Sequence, residues 1–266
     1  MVTEADDWTL YAGHRERFTQ ALRDTAGPAG GRLCLLGAGP CDDVDLEALS
    51  RVFSEIHLVD LDAAALARAV ARQPPEVRAR LRPHARVDLA GLSKRLPKWK
   101  RKPPAVPQIE RSAQETLQAT LARLPGPFDV VASACVLTQM AFAVRDALGD
   151  GHPMLGLVRL SVIANHLRTL VGLTAVGGAA LFVTDVVSST VFPVAGMQGD
   201  PRAALDAIVA SGHAYHSANP GVVRALLGEE LLASRVGEPE LLEPWTWTGR
   251  QGRTYFVYAL RIPRRA

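Results

Sequence analysis

The stretch Leu33-Cys34-Leu35-Leu36-Gly37-Ala38-Gly39-Pro40-Cys41-Asp42-Asp43, followed by Val59-Asp60-Leu61-Asp62, decides the reading of this chain. An apolar run ends in Gly-Ala-Gly, and a second apolar run ends in an acid 21 positions after Gly39. Glycine lets backbone approach a ligand where a Cβ would collide. An acid at the tip of the next strand can accept both hydroxyls of a ribose. The pair predicts an α/β fold holding a nucleoside-containing cofactor at the carboxyl ends of its first two strands.

Composition agrees with one globular α/β unit. The chain has 266 residues, 48% of them hydrophobic, which suffices for a sizeable core. A net charge of +3 neither requires nor excludes an anionic partner. Cys34, Cys41 and Cys135 match neither a disulfide framework nor a zinc spacing, so a cytoplasmic location is expected and no metal is implied. Residues 1–7 are acidic and lack the apolar core of a signal peptide. The apolar stretch 155–183 is interrupted by Arg159, His166, Arg168 and Gly177-Gly178, which predicts a buried helix and then a strand, not a membrane span.

Periodicity predicts strands at 32–36, 56–59, 85–89, 128–133 and 179–187, alternating with helices. A terminal hairpin is expected from 241–248 and 253–262 around Gly249-Arg250-Gln251-Gly252. Helices are expected at 8–24, ended by Gly27-Pro28-Ala29-Gly30-Gly31, and at 43–53, 62–73, 113–124, 153–173, 202–210 and 220–227. The segment 93–107 holds six basic residues and no acid between Ser93 and Pro104. It reads as an exposed loop or lid because its prolines forbid a continuous helix.

This order of elements resembles a class I S-adenosylmethionine (SAM)-dependent methyltransferase over about residues 32–262. The resemblance implies an α/β fold: a doubly wound, mostly parallel seven-stranded sheet with an antiparallel C-terminal hairpin. It implies a helical cap at 1–30 and a Rossmann-like SAM-binding domain at 31–266, with the basic loop at 93–107 and an insertion at 188–220. Gly37, Ala38 and Gly39 resemble the loop under the cofactor's methionine, Asp60 the ribose-binding acid, and Asp88 the acid on the adenine amino group, with Leu61 beside them. Phe128 to Ser133 resembles the fourth-strand motif near the transferring methyl, and Gly177 to Val183 the turn and strand after it.

Two departures stand out. Leu35 occupies the place of an acid usual in the family, and Pro40-Cys41 follows where a third glycine is expected. Asp42, Asp43 and Asp45 are candidates to restore the acidity. A NAD-binding loop also begins Gly-x-Gly. Here Asp42 takes the last glycine's place, where a carboxylate would repel a pyrophosphate. SAM carries a sulfonium cation and no phosphate, so the acids favour it.

The ordinary reading of each candidate stands beside the functional one. Asp60 competes with a helix N-cap role that Asp62 fits better. Asp88 also reads as a plain strand-end acid. Cys135 suits a small core position, and Thr138 and Gln139 suit polar contacts. Base candidates are His14, His166, His213, His216, Tyr11, Tyr215 and Asp185, with Asp185 at a strand end where open sheets place ligands. His166 reads more naturally as structural. Arg15 is a candidate for the methionine carboxylate, or lies on a solvated helix face. Trp99 within the basic segment offers a base-stacking platform for a nucleic acid. Trp245 and Trp247 share one face of a strand, so both either pack the sheet or line an acceptor pocket.

The resulting expectation is methyl transfer to an N, O or S atom of a small molecule. Gln139, Asp185 and His14 are placed at the chemistry, and Gly37, Ala38, Gly39, Asp60, Leu61, Asp88, Ser133 and Arg15 at the cofactor. The alternatives are an RNA methyltransferase using 94–102 and a catalytically inactive SAM-fold module. No membrane partner is expected, and a homodimer stays open.

Overall fold

The computed structural model describes residues 8–27, 30–249 and 252–266. The acidic start 1–7, Pro28-Ala29 and Arg250-Gln251 lie outside them.

The predicted Gly-Ala-Gly strand is β1 (Arg32–Leu36), at the middle of the sheet. It pairs in parallel with β2 (Glu55–Asp60) on one side and β4 (Phe128–Ala134) on the other. Beyond β2 lies β3 (Leu81–Ala85), and beyond β4 lies β5 (Thr174–Ser188), all parallel. β8 (Thr254–Pro263) runs antiparallel to β5. Its far edge pairs with β6 (Glu240–Leu241) and β7 (Trp245–Thr248) at successive positions. Two short strands thus share one column, and the sheet has the seven columns and closing hairpin expected.

Why the strands read as unbroken apolar runs follows from burial on both faces. Leu33 and Leu35 point to the face covered by α1 (Ala12–Thr25), α2 (Leu46–Ser50) and α3 (Ala63–Ala71), against Phe18, Leu22, Leu49 and Leu66. Cys34 and Leu36 point to the other, covered by α6 (Val106–Arg123), α7 (Val136–Leu148) and α8 (Leu155–Leu173). Between β2 and β3 lie α3 and the one-turn α4 (Pro75–Arg78).

Four expectations need correction. The third strand is 81–85 and not 85–89. β3 is an edge strand, so it tolerates Pro83 and two exposed side chains that hide its character in the sequence. Val87 and Leu89 are buried loop residues, brought inward after Arg86 turns through φ 59°. Second, the basic segment contains a helix, α5 (Leu96–Arg101), because Pro97 sits in its first turn, where no backbone donor is needed. Third, α6 begins at Val106, seven residues before the expected start at 113. Fourth, α7 was not foreseen; it starts from Cys135 in a left-handed conformation, φ 47°. The expected insertion carries α9 (Pro201–Ala210) and a 3-10 turn, His216–Ala218, and packs Leu205 and Ile208 into the core. After it come α10 (Pro220–Leu227) and α11 (Glu230–Ala233). Among the described residues no helix is long and apolar enough to cross a membrane.

Candidate functional site

At the carboxyl ends of β1, β2 and β4 lies a cavity of about 670 Å³, within the roughly 300–1,000 Å³ usual for small-molecule sites. Gly37 starts its floor. Its φ of +77° suits glycine, and its amide donates to Val59 O at 2.9 Å. A Cβ there would lie 2.3 Å from Val136 Cβ. Gly37→Ala combines a left-handed backbone with overpacking, so a loss of about 2–4 kcal/mol is expected by denaturant titration.

Asp60 fixes the same loop. Its Oδ2 accepts from Gly39 N and its Oδ1 from Asp62 N, each at 2.8 Å. Asp62 caps α3, accepting from Ala64 N and Ala65 N. A carboxylate offers about four acceptor positions. Two are used, which leaves two acceptor positions, and Asp60 lines the cavity. Leu61 and Asp88 line the wall beyond. Asp88 is itself a turn anchor, accepting from Gly91 N at 2.9 Å and Ser93 N at 3.0 Å.

The three acids after the glycine loop part company. Asp45 caps α2 through Ala48 N. Asp42 pairs with Arg72 at 2.7 Å. Asp43 faces the cavity, walled by protein otherwise, and burial pushes its carboxyl up to about 7, aided by the charges of Asp42 and Asp60. The sequence named these acids without separating them.

Of the other residues placed at the chemistry, Gln139 and His14 line the cavity. Gln139 Nε2 donates to Cys135 O at 3.2 Å. His14 is buried, and Trp245 Nε1 donates to its Nδ1 at 3.0 Å. That bond puts the neutral ring's proton on Nε2, and burial pulls its pKa down to about 4. Near neutral pH the His14 ring therefore presents an Nε2–H donor and no open lone pair, which does not fit the base expected of it. Tyr11 and Trp247 complete this wall, while Trp245 is buried. The two tryptophans thus differ although they alternate onto one face: Trp245 packs in the core and Trp247 lines the cavity.

Three expected site residues stand off the cavity wall. Ser133 alternates to the opposite face of β4, where its Oγ lies 2.8 Å from His166 Nε2. Burial lowers the His166 pKa to about 4, in line with a structural role. Asp185 is buried beneath α7, accepting from Thr138 Oγ1 at 2.8 Å, and burial raises its pKa to about 6. Arg15 turns away to donate to Trp8 O and Asp42 O, with its guanidinium 3.4 Å over the Trp8 ring. Tyr215 donates to Ser188 Oγ, and His213 and His216 are exposed, none of them on the wall.

The basic segment separates likewise. Lys94, Lys98, Lys100, Arg101 and Lys102 are exposed, but Trp99 packs against the core and its carbonyl accepts from His152 Nε2. The stacking platform expected for a nucleic acid is therefore turned inward.

No protein-family model and no curated protein matches the chain. Among solved structures it is similar to magnesium protoporphyrin IX methyltransferase (ChlM) from Synechocystis with bound SAH: 13% identity, TM-score 0.49, covering 100% of this chain and 89% of that one. It is similar to an rRNA methylase from Streptococcus thermophilus at 9% identity and TM-score 0.45, covering 94% of this chain and 95% of that one. It is also similar to TrmN from Thermus thermophilus at 14% identity and TM-score 0.45, covering 92% of this chain but 47% of that one, under half its length. Likenesses at this level bear on neither activity nor acceptor.

Proposed function

We propose that the chain is a SAM-dependent methyltransferase acting on a small molecule. The observation that carries the reading is the charge of the cavity built over the glycine loop. Asp42, Asp43, Asp60, Asp62 and Asp88 lie on its wall, and among the described residues Arg68 is the one Lys or Arg there. A dinucleotide pyrophosphate would meet that field unfavourably, whereas a sulfonium and an ammonium would be held by it.

In this reading Gly37, Ala38 and Gly39 bring backbone close to the methionine part. The two open acceptor positions of Asp60 take the ribose hydroxyls. Leu61 covers the base, with Asp88 at its edge, and Asp43 replaces the acid missing at Leu35 by facing the cofactor's cationic end. SAM supplies an electrophilic methyl when bound. The chain's part is then to position the acceptor in line and exclude water, which can supply much of the rate.

Thermal denaturation tests this. S-adenosylhomocysteine at about 100 times its Kd is expected to add about 2.7 kcal/mol, which shifts the Tm by roughly 5–10 °C. NAD is expected to leave the Tm unchanged. A rise with NAD and none with S-adenosylhomocysteine would reverse the assignment.

A further inference from the structure

We infer that the end of the cavity walled by Tyr11, His14 and Trp247 is the acceptor subsite, and that it takes a flat aromatic ring bearing a protonated basic nitrogen. The inference rests on the cofactor reading above, since it assigns to the acceptor the part of the cavity away from Asp60 and Asp88.

The rings form one packed group. Tyr11 lies 4.8 Å and His14 5.0 Å from Trp247 between ring centroids, and Tyr255 stacks on Trp247 at 5.0 Å and 18°. Trp247 is thus held between neighbours and shows its remaining surface to the cavity. Aromatic side chains lose little conformational freedom when they bind, and flat ligands pack on them by offset or tilted contact.

Charge then decides among flat ligands. The His14 ring is neutral because Trp245 occupies Nδ1 and burial opposes a second proton. The cations nearby are already committed. Arg15 is spent on Trp8 O, Asp42 O and the Trp8 ring, and Arg72 on Asp42. Arg68, the basic side chain on the cavity wall, projects from α3, which follows Asp60 and Asp62, so among the described residues a carboxylate or phosphate on the acceptor finds no uncommitted counter-charge at the ring-lined end. A cation is drawn by the electron-rich faces of the rings. Lys94 and Arg95, just before α5, do not alter this, because they line a separate groove on the Asp88 side of the site.

The test uses protein saturated with S-adenosylhomocysteine and three probes that share an indole ring: tryptamine (cationic), tryptophol (neutral) and indole-3-acetate (anionic). Binding is followed by calorimetry and saturation-transfer NMR near neutral pH. Tryptamine is expected to bind about tenfold or more tighter than tryptophol, with indole-3-acetate weakest. Trp247→Leu is expected to weaken tryptamine by about tenfold while S-adenosylhomocysteine affinity is retained, which also reports that the variant is folded. Should Trp247→Leu not fold, Tyr11→Leu and the charge order in the unmodified protein carry the test. Equal or tighter binding of indole-3-acetate overturns the inference, as does no binding of any probe at millimolar concentration to the saturated protein. Failure of the cofactor reading shows separately, as absence of S-adenosylhomocysteine binding before any probe is added, and it overturns both.

Discussion

Asp60→Ala is expected to lower affinity for S-adenosylhomocysteine by about 100-fold or more. Two hydrogen bonds from ribose hydroxyls to a carboxylate are together worth about 3 kcal/mol, and each 1.4 kcal/mol is a factor of ten. The substitution also strips Gly39 N and Asp62 N of their acceptor, so the glycine loop loses its tie to β2. Equilibrium dialysis with labelled ligand reads the affinity, and a parallel melting curve separates lost binding from lost folding. An unchanged Kd in a folded variant would remove Asp60 from the site.

The second large effect is a dependence on pH carried by Asp43. Its carboxyl, raised to about 7 by burial, is mainly protonated at the acid side of neutrality. A cationic ligand binds the ionised form, so SAM affinity is expected to rise close to tenfold between about pH 6 and about pH 8. Asp43→Asn should flatten that rise and lower the affinity at the higher pH. Stability runs the other way. Between the unfolded value, about 3.9, and the folded value of about 7, the native state binds more protons than the unfolded chain. Its contribution is therefore present below that window and is lost as pH rises through it. Asp43→Asn is accordingly expected to be more stable than the unmodified protein near pH 8, by roughly 1–3 kcal/mol, less than the full burial figure because the cavity admits water. Chemical denaturation at two pH values measures it. A variant no more stable at the higher pH, with the same pH profile for SAM, would place the raised carboxyl elsewhere.

How far the sequence could be read depended on how local each cause was. β1, β2 and β4 stood out because strands buried on both faces are continuous apolar runs. β3 did not, since Pro83 and His84 are tolerated only because the strand lies at the sheet edge, which the sheet order decides. α7 was hidden by its start, a left-handed Cys135 that no local rule announces. In the site, Gly37, Gly39 and Asp60 were legible from spacing along two strands. Ser133 was misplaced by one step of β alternation, which turned it to His166. Arg15 was misplaced because its partners, Trp8 O and Asp42 O, come from segments that meet only in the fold. The same holds for Asp43: three nearby acids look alike in sequence and differ only in what each one faces.

Every role proposed for the cavity depends on SAM occupying it over the glycine loop. The decisive experiment is a calorimetric titration of the purified chain with SAM and with S-adenosylhomocysteine, with NAD as the control. Saturable micromolar binding of both adenosyl ligands at one site per chain, and no heat from NAD, is the expected result. A folded protein that binds neither adenosyl ligand, or binds NAD instead, would contradict it.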